Sequence, residues 1–270
     1  MRLNKTLQNV LIGATAVVIA GARLVPGSEK NGPVTRAAIA IATGTSARTD
    51  SAAPAKATSN LTGQIQSALD AFSGVVGPLS DPQALEDAFH SYYAFKAEHP
   101  DEVKKPYLYF VDYGLPSTEK RGYVFDMDTH QIVEGPFTVA HGRGSSTSRY
   151  GVPTHFANAS GSNATSLGLY VAKALYDFTG HTGGRAYHST GMRLDGVSQG
   201  FNDEAYARKV VAHGAPYVTP TKAGRSEGCP AMEPDRAARL LPKLADGGLV
   251  FLFAPDANWL HHDQWVTAAE

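Results

Sequence analysis

Cysteine is almost absent from this chain: Cys229 is the only one in 270 residues. No internal disulfide is available, and neither a paired-cysteine zinc site nor a disulfide scaffold fits. Charge is also sparse. Charged residues make up 18%, with 24 Lys plus Arg against 25 Asp plus Glu, so the net charge of −1 gives no field that would recruit nucleic acid or an anionic membrane. The longest apolar run, Val10 to Ala20, falls short of the roughly 20 residues a spanning helix needs, so no stable membrane span is expected. There is no His-Glu-x-x-His and no His and carboxylate cluster with ligand spacing, so neither a metal nor another cofactor is expected.

What is present points to an exported, turn-rich globular chain. Apolar residues at 43% exclude wholesale disorder, and 27 Gly with 16 Pro suit a β-rich fold better than a helical bundle. Arg2 and Lys5, then the apolar run, then Ala20-Gly21-Ala22 read as a signal peptide over residues 1–22. No cysteine follows that run, which excludes a lipid anchor of the lipoprotein kind. Residues 23–57, rich in Ala, Thr, Ser, Gly and Pro, read as a flexible linker, with Ala52-Ala53-Pro54-Ala55 typical of it.

Over residues 58–104 the period is helical. Leu61, Ile65, Ala68, Leu69 and Phe72 share one face; a second helix starts from a Ser80 or Asp81 cap with Pro82 in its first turn and stops at Pro100. Residues 105–256 change to strand character. Tyr107–Val111, Gly122–Met127, Gly135–Ala140, Lys209–Ala212 and Leu249–Phe253 read as strands, Asp126 to Gln131 as a hairpin turn, and Asp235 to Leu244 as a helix ended by Gly247-Gly248. Residues 257–270 are left as a C-terminal tail.

The sharpest local feature is Gly224-Arg225-Ser226-Glu227-Gly228-Cys229-Pro230, a polar turn that presents the sole cysteine. An unpaired thiol in an oxidising compartment is either fully buried or used, and this setting favours use. Sixteen residues upstream, His213 stands at the end of an expected strand. A free thiol with a pKa of about 8.5 is only a few per cent thiolate at neutral pH, and a neighbouring imidazole raises that fraction. Gly228, without a Cβ, lets the chain turn so that the amides of Gly228 and Cys229 face an oxygen gaining negative charge. Arg225 either binds a substrate carboxylate or braces the turn, and Ser226 is a turn residue whose hydroxyl stabilises the loop and which is also a candidate substrate-binding residue. His141, in a Gly-rich loop, and His188, in a polar stretch, are further candidates to line a substrate groove. His181, His155, His130, His90 and His99 read as surface or packing residues.

The Cys turn, with His213-Gly214 before it, resembles the active-site stretch of the murein L,D-transpeptidases, the YkuD-type family. The resemblance extends to Asp112–Arg121, His141-Gly142-Arg143-Gly144-Ser145, Ser162-x-x-x-Ser166-Leu167-Gly168 and Arg193-Leu194-Asp195-Gly196, and it follows the branch with an Arg-Ser-x-Gly-Cys-Pro turn. It covers about Tyr107 to Phe253. The resemblance implies a mainly β, L,D-transpeptidase-like β-sandwich with small inserted helices. It also implies Cys229 as nucleophile, His213 as general base and the Gly214 carbonyl as orienter of the ring. The better-known pattern has His directly before Gly-Cys; here Glu227 stands there, leaving His213 to do the proton work. The implied partners are peptidoglycan stem peptides in the periplasm or cell envelope, with an amine as acyl acceptor. Water as acceptor would make an L,D-carboxypeptidase, and loss of activity a silent peptidoglycan-binding module.

Overall fold

A computed structural model describes residues 52–267, with side chains from 60 onward. The expected signal peptide, and all but the last six residues of the expected linker, lie outside the described residues. Those six, 52–57, open a helix, α1 (Ala52–Phe72), instead of continuing a linker. Alanine is the best helix former, and a proline is tolerated in the first turn, where its missing N–H would have no partner. Among the described residues no helix is long and apolar enough to cross a membrane.

The apolar stripe read from the sequence is the buried face of α1: Ile65, Ala68 and Phe72 are buried, with Leu61 and Leu69 packed at their edges. Helix α2 (Ala84–Glu98) starts later than expected, because Ser80 is engaged elsewhere. Its N–H and Oγ donate to the two carboxylate oxygens of buried Asp112 at 2.7 and 2.6 Å. Asp81 instead accepts from the Gln83 N–H at 2.8 Å. Both helices join the main core through Phe72, Phe89 and Phe125, whose ring centroids lie 4.6 to 5.6 Å apart. The helical segment is therefore part of one compact unit with the strands that follow, not an attachment.

The first strands are β1 (Tyr107–Asp112), β2 (Gly122–Asp126) and β3 (Gln131–Phe137), followed by the short β4 (His141–Gly142). The expected turn at Asp126 to Gln131 joins β2 to β3. The third strand lies earlier than the expected Gly135–Ala140, because the chain needs only a short turn to come back antiparallel on β2. Then come the long β5 (Gly168–Thr182) and β6 (Arg185–Gly196), β7 (Val211–Gly214), and the two-residue strands β8 (Val218–Thr219), β9 (Lys222–Ala223), β10 (Arg225–Ser226) and β11 (Ala231–Met232). Helix α3 (Pro234–Leu244), β12 (Leu249–Phe253) and helix α4 (Ala257–His262) complete the described chain. The main sheet has eight strands in the order β11-β7-β6-β5-β12-β1-β2-β3, while β4 with β10 and β8 with β9 form two small sheets. The mainly β class with small helices is the observed one.

Hairpin β5–β6 is absent from the sequence-based expectation. Its turn is Gly183-Gly184, with φ of +56° and +75°, the geometry of a two-residue hairpin loop whose twist matches its strands. β12 pairs with Gly168–Val171 and β7 with Gly191–Arg193, so Tyr176 to Thr190 pairs only within the hairpin and forms an arm beyond the sheet.

The expected C-terminal tail is also folded. Asp256 caps α4 through the Trp259 N–H, and Trp259 is buried against Phe251 and Phe253 with its indole N–H donating to Asp263 at 2.6 Å. Its apolar bulk is what the tail reading overlooked. Trp259→Ala is expected to lower unfolding stability by about 3–5 kcal/mol, the usual effect of emptying a buried aromatic site. Urea denaturation measures this, and a loss below about 1 kcal/mol would return α4 to the status of a loose appendage.

Candidate active site

Strand β7 ends in His213-Gly214 between β6 and β11, and the register Ala231↔His213 sets Cys229 opposite Val211 across a parallel pair. The turn before β11 is tied together by Ser226, whose hydroxyl donates to the Cys229 carbonyl at 2.6 Å and accepts from the Gly228 N–H at 3.2 Å. Both bonds lie within the turn, so Ser226 shapes it, and the residue also lines the cavity that holds Cys229 and His213. Gly228 has φ +122°, and a Cβ there would meet the Ala164 carbonyl oxygen at 2.9 Å, so both backbone and space demand glycine. One of the two amides expected to face an oxyanion is already taken: the Gly228 N–H is used by Ser226, which leaves that of Cys229.

His213 is 3% exposed, and its Nδ1 lies 2.9 Å from the Gly214 carbonyl oxygen. That contact puts the ring hydrogen on Nδ1 and the lone pair on Nε2. Phe178, on the β5–β6 arm, stacks over the ring with centroids 4.1 Å apart and planes 21° apart. Burial pushes the imidazole pKa down to about 4, partly offset by the Gly214 carbonyl. Cys229 is half-buried. Burial pushes its thiol up to about 11, against a hydrogen bond with the Val211 backbone and the charge of Arg208, both of which favour the thiolate; Glu227 opposes them. The thiol and the imidazole line one cavity of about 670 Å³, and no hydrogen bond joins them. At rest both are neutral. The sequence reading, which favoured an ionised or readily ionised thiol, gave too little weight to desolvation.

The cavity is walled on one side by the arm, through Tyr176, Phe178 and Tyr187, and on the other by Tyr217, Arg225 and the Cys turn. Arg225 both lines it and donates to the carbonyls of Ser146 and Thr147 at 2.9 and 3.3 Å, bracing the 146–147 loop. Two expected groove residues lie elsewhere. His141 is fully buried on β4, where Arg121 donates to its Nδ1 at 3.0 Å, and burial with the charges of Arg121 and Arg225 holds its pKa down to about 3. The same strand that carried it into a Gly-rich motif packs it behind the turn, so it is not a groove residue. His188 is exposed and lies outside the cavity's lining, its Nδ1 3.1 Å from the hydroxyl of Thr179 across the arm, while its strand neighbour Tyr187, facing the opposite side, lines the cavity.

Several lining residues carry no functional signal in the sequence, His181 and Arg208 among them. His181 was assigned to the surface, and it reaches the cavity only because the Gly-Gly turn folds the arm; that dipeptide is the signal that would have placed it. Arg208 carries no motif. Its guanidinium donates to the Ala157 and Ala164 carbonyls at 2.9 Å and to the Ser162 and Ser166 hydroxyls at 3.3 Å, which fixes a cation beside the Cys turn. Among the described residues no group of three or more His, Cys, Asp or Glu is placed to hold a metal.

Among known proteins, the L,D-transpeptidase catalytic domain family matches residues 78–253. No curated protein matches the chain. Solved structures similar to it include the Ldtfm–avibactam carbamoyl enzyme (13% identity, TM-score 0.36, covering 56% of this chain and 50% of that one). Others are an L,D-transpeptidase from Mycobacterium smegmatis (16%, 0.32, 55% and 59%) and one from Stackebrandtia nassauensis (14%, 0.35, 70% and 89%). The chain thus spans about half the length of the first of these. Because residues 78–253 take in α2, all twelve strands and α3, and with them both His213 and the Cys229 turn, the chain belongs to the L,D-transpeptidase catalytic domain family.

Proposed function

We propose that the chain is an exported cysteine peptidyltransferase that acylates itself with a peptidoglycan stem peptide and passes the acyl group to an amine. The observation that carries this reading is that the only sulfur nucleophile in the chain shares a cavity with an imidazole whose tautomer leaves Nε2 as base. Cys229 Sγ attacks the carbonyl at the L-centre of the third stem residue as Nε2 of His213 takes the thiol proton. The tetrahedral oxygen is held by the Cys229 N–H. The C–N bond to the terminal D-Ala then breaks, the leaving amine takes the proton from His213, and a thioester remains. The third residue of a neighbouring stem supplies an amine that attacks the thioester carbonyl; the C–S bond breaks, the amine's proton passes by way of His213 to the sulfur, and the new amide closes the cross-link. A cavity of about 670 Å³ suits a ligand of a few residues. Arg2, Lys5 and the apolar run after them support delivery to the periplasm or cell envelope.

The test offers the full chain a stem tetrapeptide with and without a second stem as acceptor, and follows products and protein mass. Release of D-Ala together with a cross-linked dimer is expected. D-Ala release with only the trimmed stem would make the protein an L,D-carboxypeptidase, and no turnover with no protein adduct would make it a silent wall-binding module.

A further inference from the structure

The walls of the Cys229 cavity carry far more positive than negative charge. Arg143, Arg208, Lys209 and Arg225 line it, against one carboxylate, Glu227, in a chain whose net charge is −1. Glu227 is engaged by Arg143 at 3.5 Å, and among the described residues Arg208, Lys209 and Arg225 have no carboxylate partner. Arg208 and Arg225 are held rigid by carbonyls and hydroxyls, so their charges are fixed in place before a ligand arrives. Lys209 is different. It is exposed, holds no acceptor among the described residues, and sits at φ +60°, a left-handed conformation that suits glycine or asparagine better than lysine. The backbone does not ask for a lysine at this position, yet an exposed one lines the cavity there, next in the chain to Arg208, whose charge acts on the thiol.

We infer that this site selects stem peptides whose branch carboxylates are free acids over the same stems with those groups amidated, and that Lys209 is the residue that reads the difference. The inference rests on the proposed reaction for its substrate and adds the charge state that substrate must have. An amide presents the same shape without the charge, so it forfeits the ionic contact while Arg208 and Arg225 keep their internal bonds. Because the ammonium is exposed, the contact is weakened by salt.

The experiment is calorimetric binding to the full chain carrying Cys229→Ala, with two stem tetrapeptides that differ only in having free or amidated branch carboxylates. The free acid is expected to bind about tenfold more tightly at low ionic strength, with the gap closing as salt is added. Lys209→Asn, which suits the left-handed backbone, should remove most of the gap and leave affinity for the amidated peptide unchanged, and Lys209→Arg should keep it. Equal affinities in the parent, or a gap that survives Lys209→Asn, would overturn the inference. Turnover of both peptides at equal rates by the unmutated protein would overturn the charge preference and leave the transfer reaction standing. Binding of neither peptide would remove the inference and the proposed substrate together.

Discussion

Replacing Cys229 with alanine should abolish the protein adduct formed on incubation with a carbapenem, and lower stem-peptide turnover by on the order of 10⁴ or more. A carbapenem supplies an acyl carbonyl that a thiol opens to a stable adduct, so intact mass reports acylation directly. Because the chain has no second cysteine, any adduct that survives in the variant would require a different nucleophile. The serine hydroxyl of the same turn, Ser226, is a poor one: it donates to the Cys229 carbonyl and accepts from the Gly228 N–H, both through backbone groups that alanine at 229 leaves in place. The turn should therefore keep its shape, and thermal unfolding should move little. Cys229→Ser should be almost as inactive, since a hydroxyl is far harder to deprotonate than a thiol beside an imidazole whose basicity is already low. An adduct of full stoichiometry on Cys229→Ala would move the chemistry elsewhere in the chain.

How much of this was legible beforehand follows the range of the interactions involved. The α1 stripe, the β2–β3 turn, β12 and α3 are set by periodicity and local punctuation, and the sequence pattern places them within a residue or two, apart from the start of α2. That start shifted because Ser80 is bound to Asp112, 32 residues away, and no local rule foresees such a partner. The β5–β6 arm was missed because its strands carry Thr, Gly, Asp and His in place of a clean apolar alternation; only Gly183-Gly184 marked it. His213 and Cys229 were recognisable because each sits in a short motif. The neighbours that set their protonation were not: Phe178 comes from the arm, and Arg208 from a loop ordered by carbonyls at 157 and 164. His141 and His188 show the converse error. Residue type and a polar neighbourhood suggested a groove, while strand alternation and burial decided which side each ring faces.

Burial governs the second large expected effect, the pH behaviour of the pair. With the thiol pushed up to about 11 and the imidazole down to about 4, the thiolate fraction at pH 7 is about one in ten thousand, so no thiolate–imidazolium pair waits in the empty site. Alkylation of Cys229 by iodoacetamide should then quicken about tenfold per pH unit from neutrality toward pH 11, where a preformed ion pair would give a plateau from about pH 4 upward. Stem turnover depends instead on neutral His213 taking the proton as the carbonyl is attacked, so kcat/KM should fall only as pH drops through about 4. His213→Ala should cut acylation by on the order of 10² or more and leave a residual rate that climbs with pH, because solvent must now remove the proton. The same shift links to stability. The unfolded chain protonates this histidine near pH 6.5 while the folded one resists to about 4, so its contribution is complete above pH 6.5 and is lost as pH falls toward 4. His141, held down to about 3, adds a loss of the same sign that extends lower. His213→Ala should therefore flatten the upper part of the acid limb in a urea-midpoint against pH plot and leave the lower part. Unchanged acylation in that variant, or alkylation of the parent that is already level above pH 5, would show that the imidazole does not act on this thiol as a neutral base.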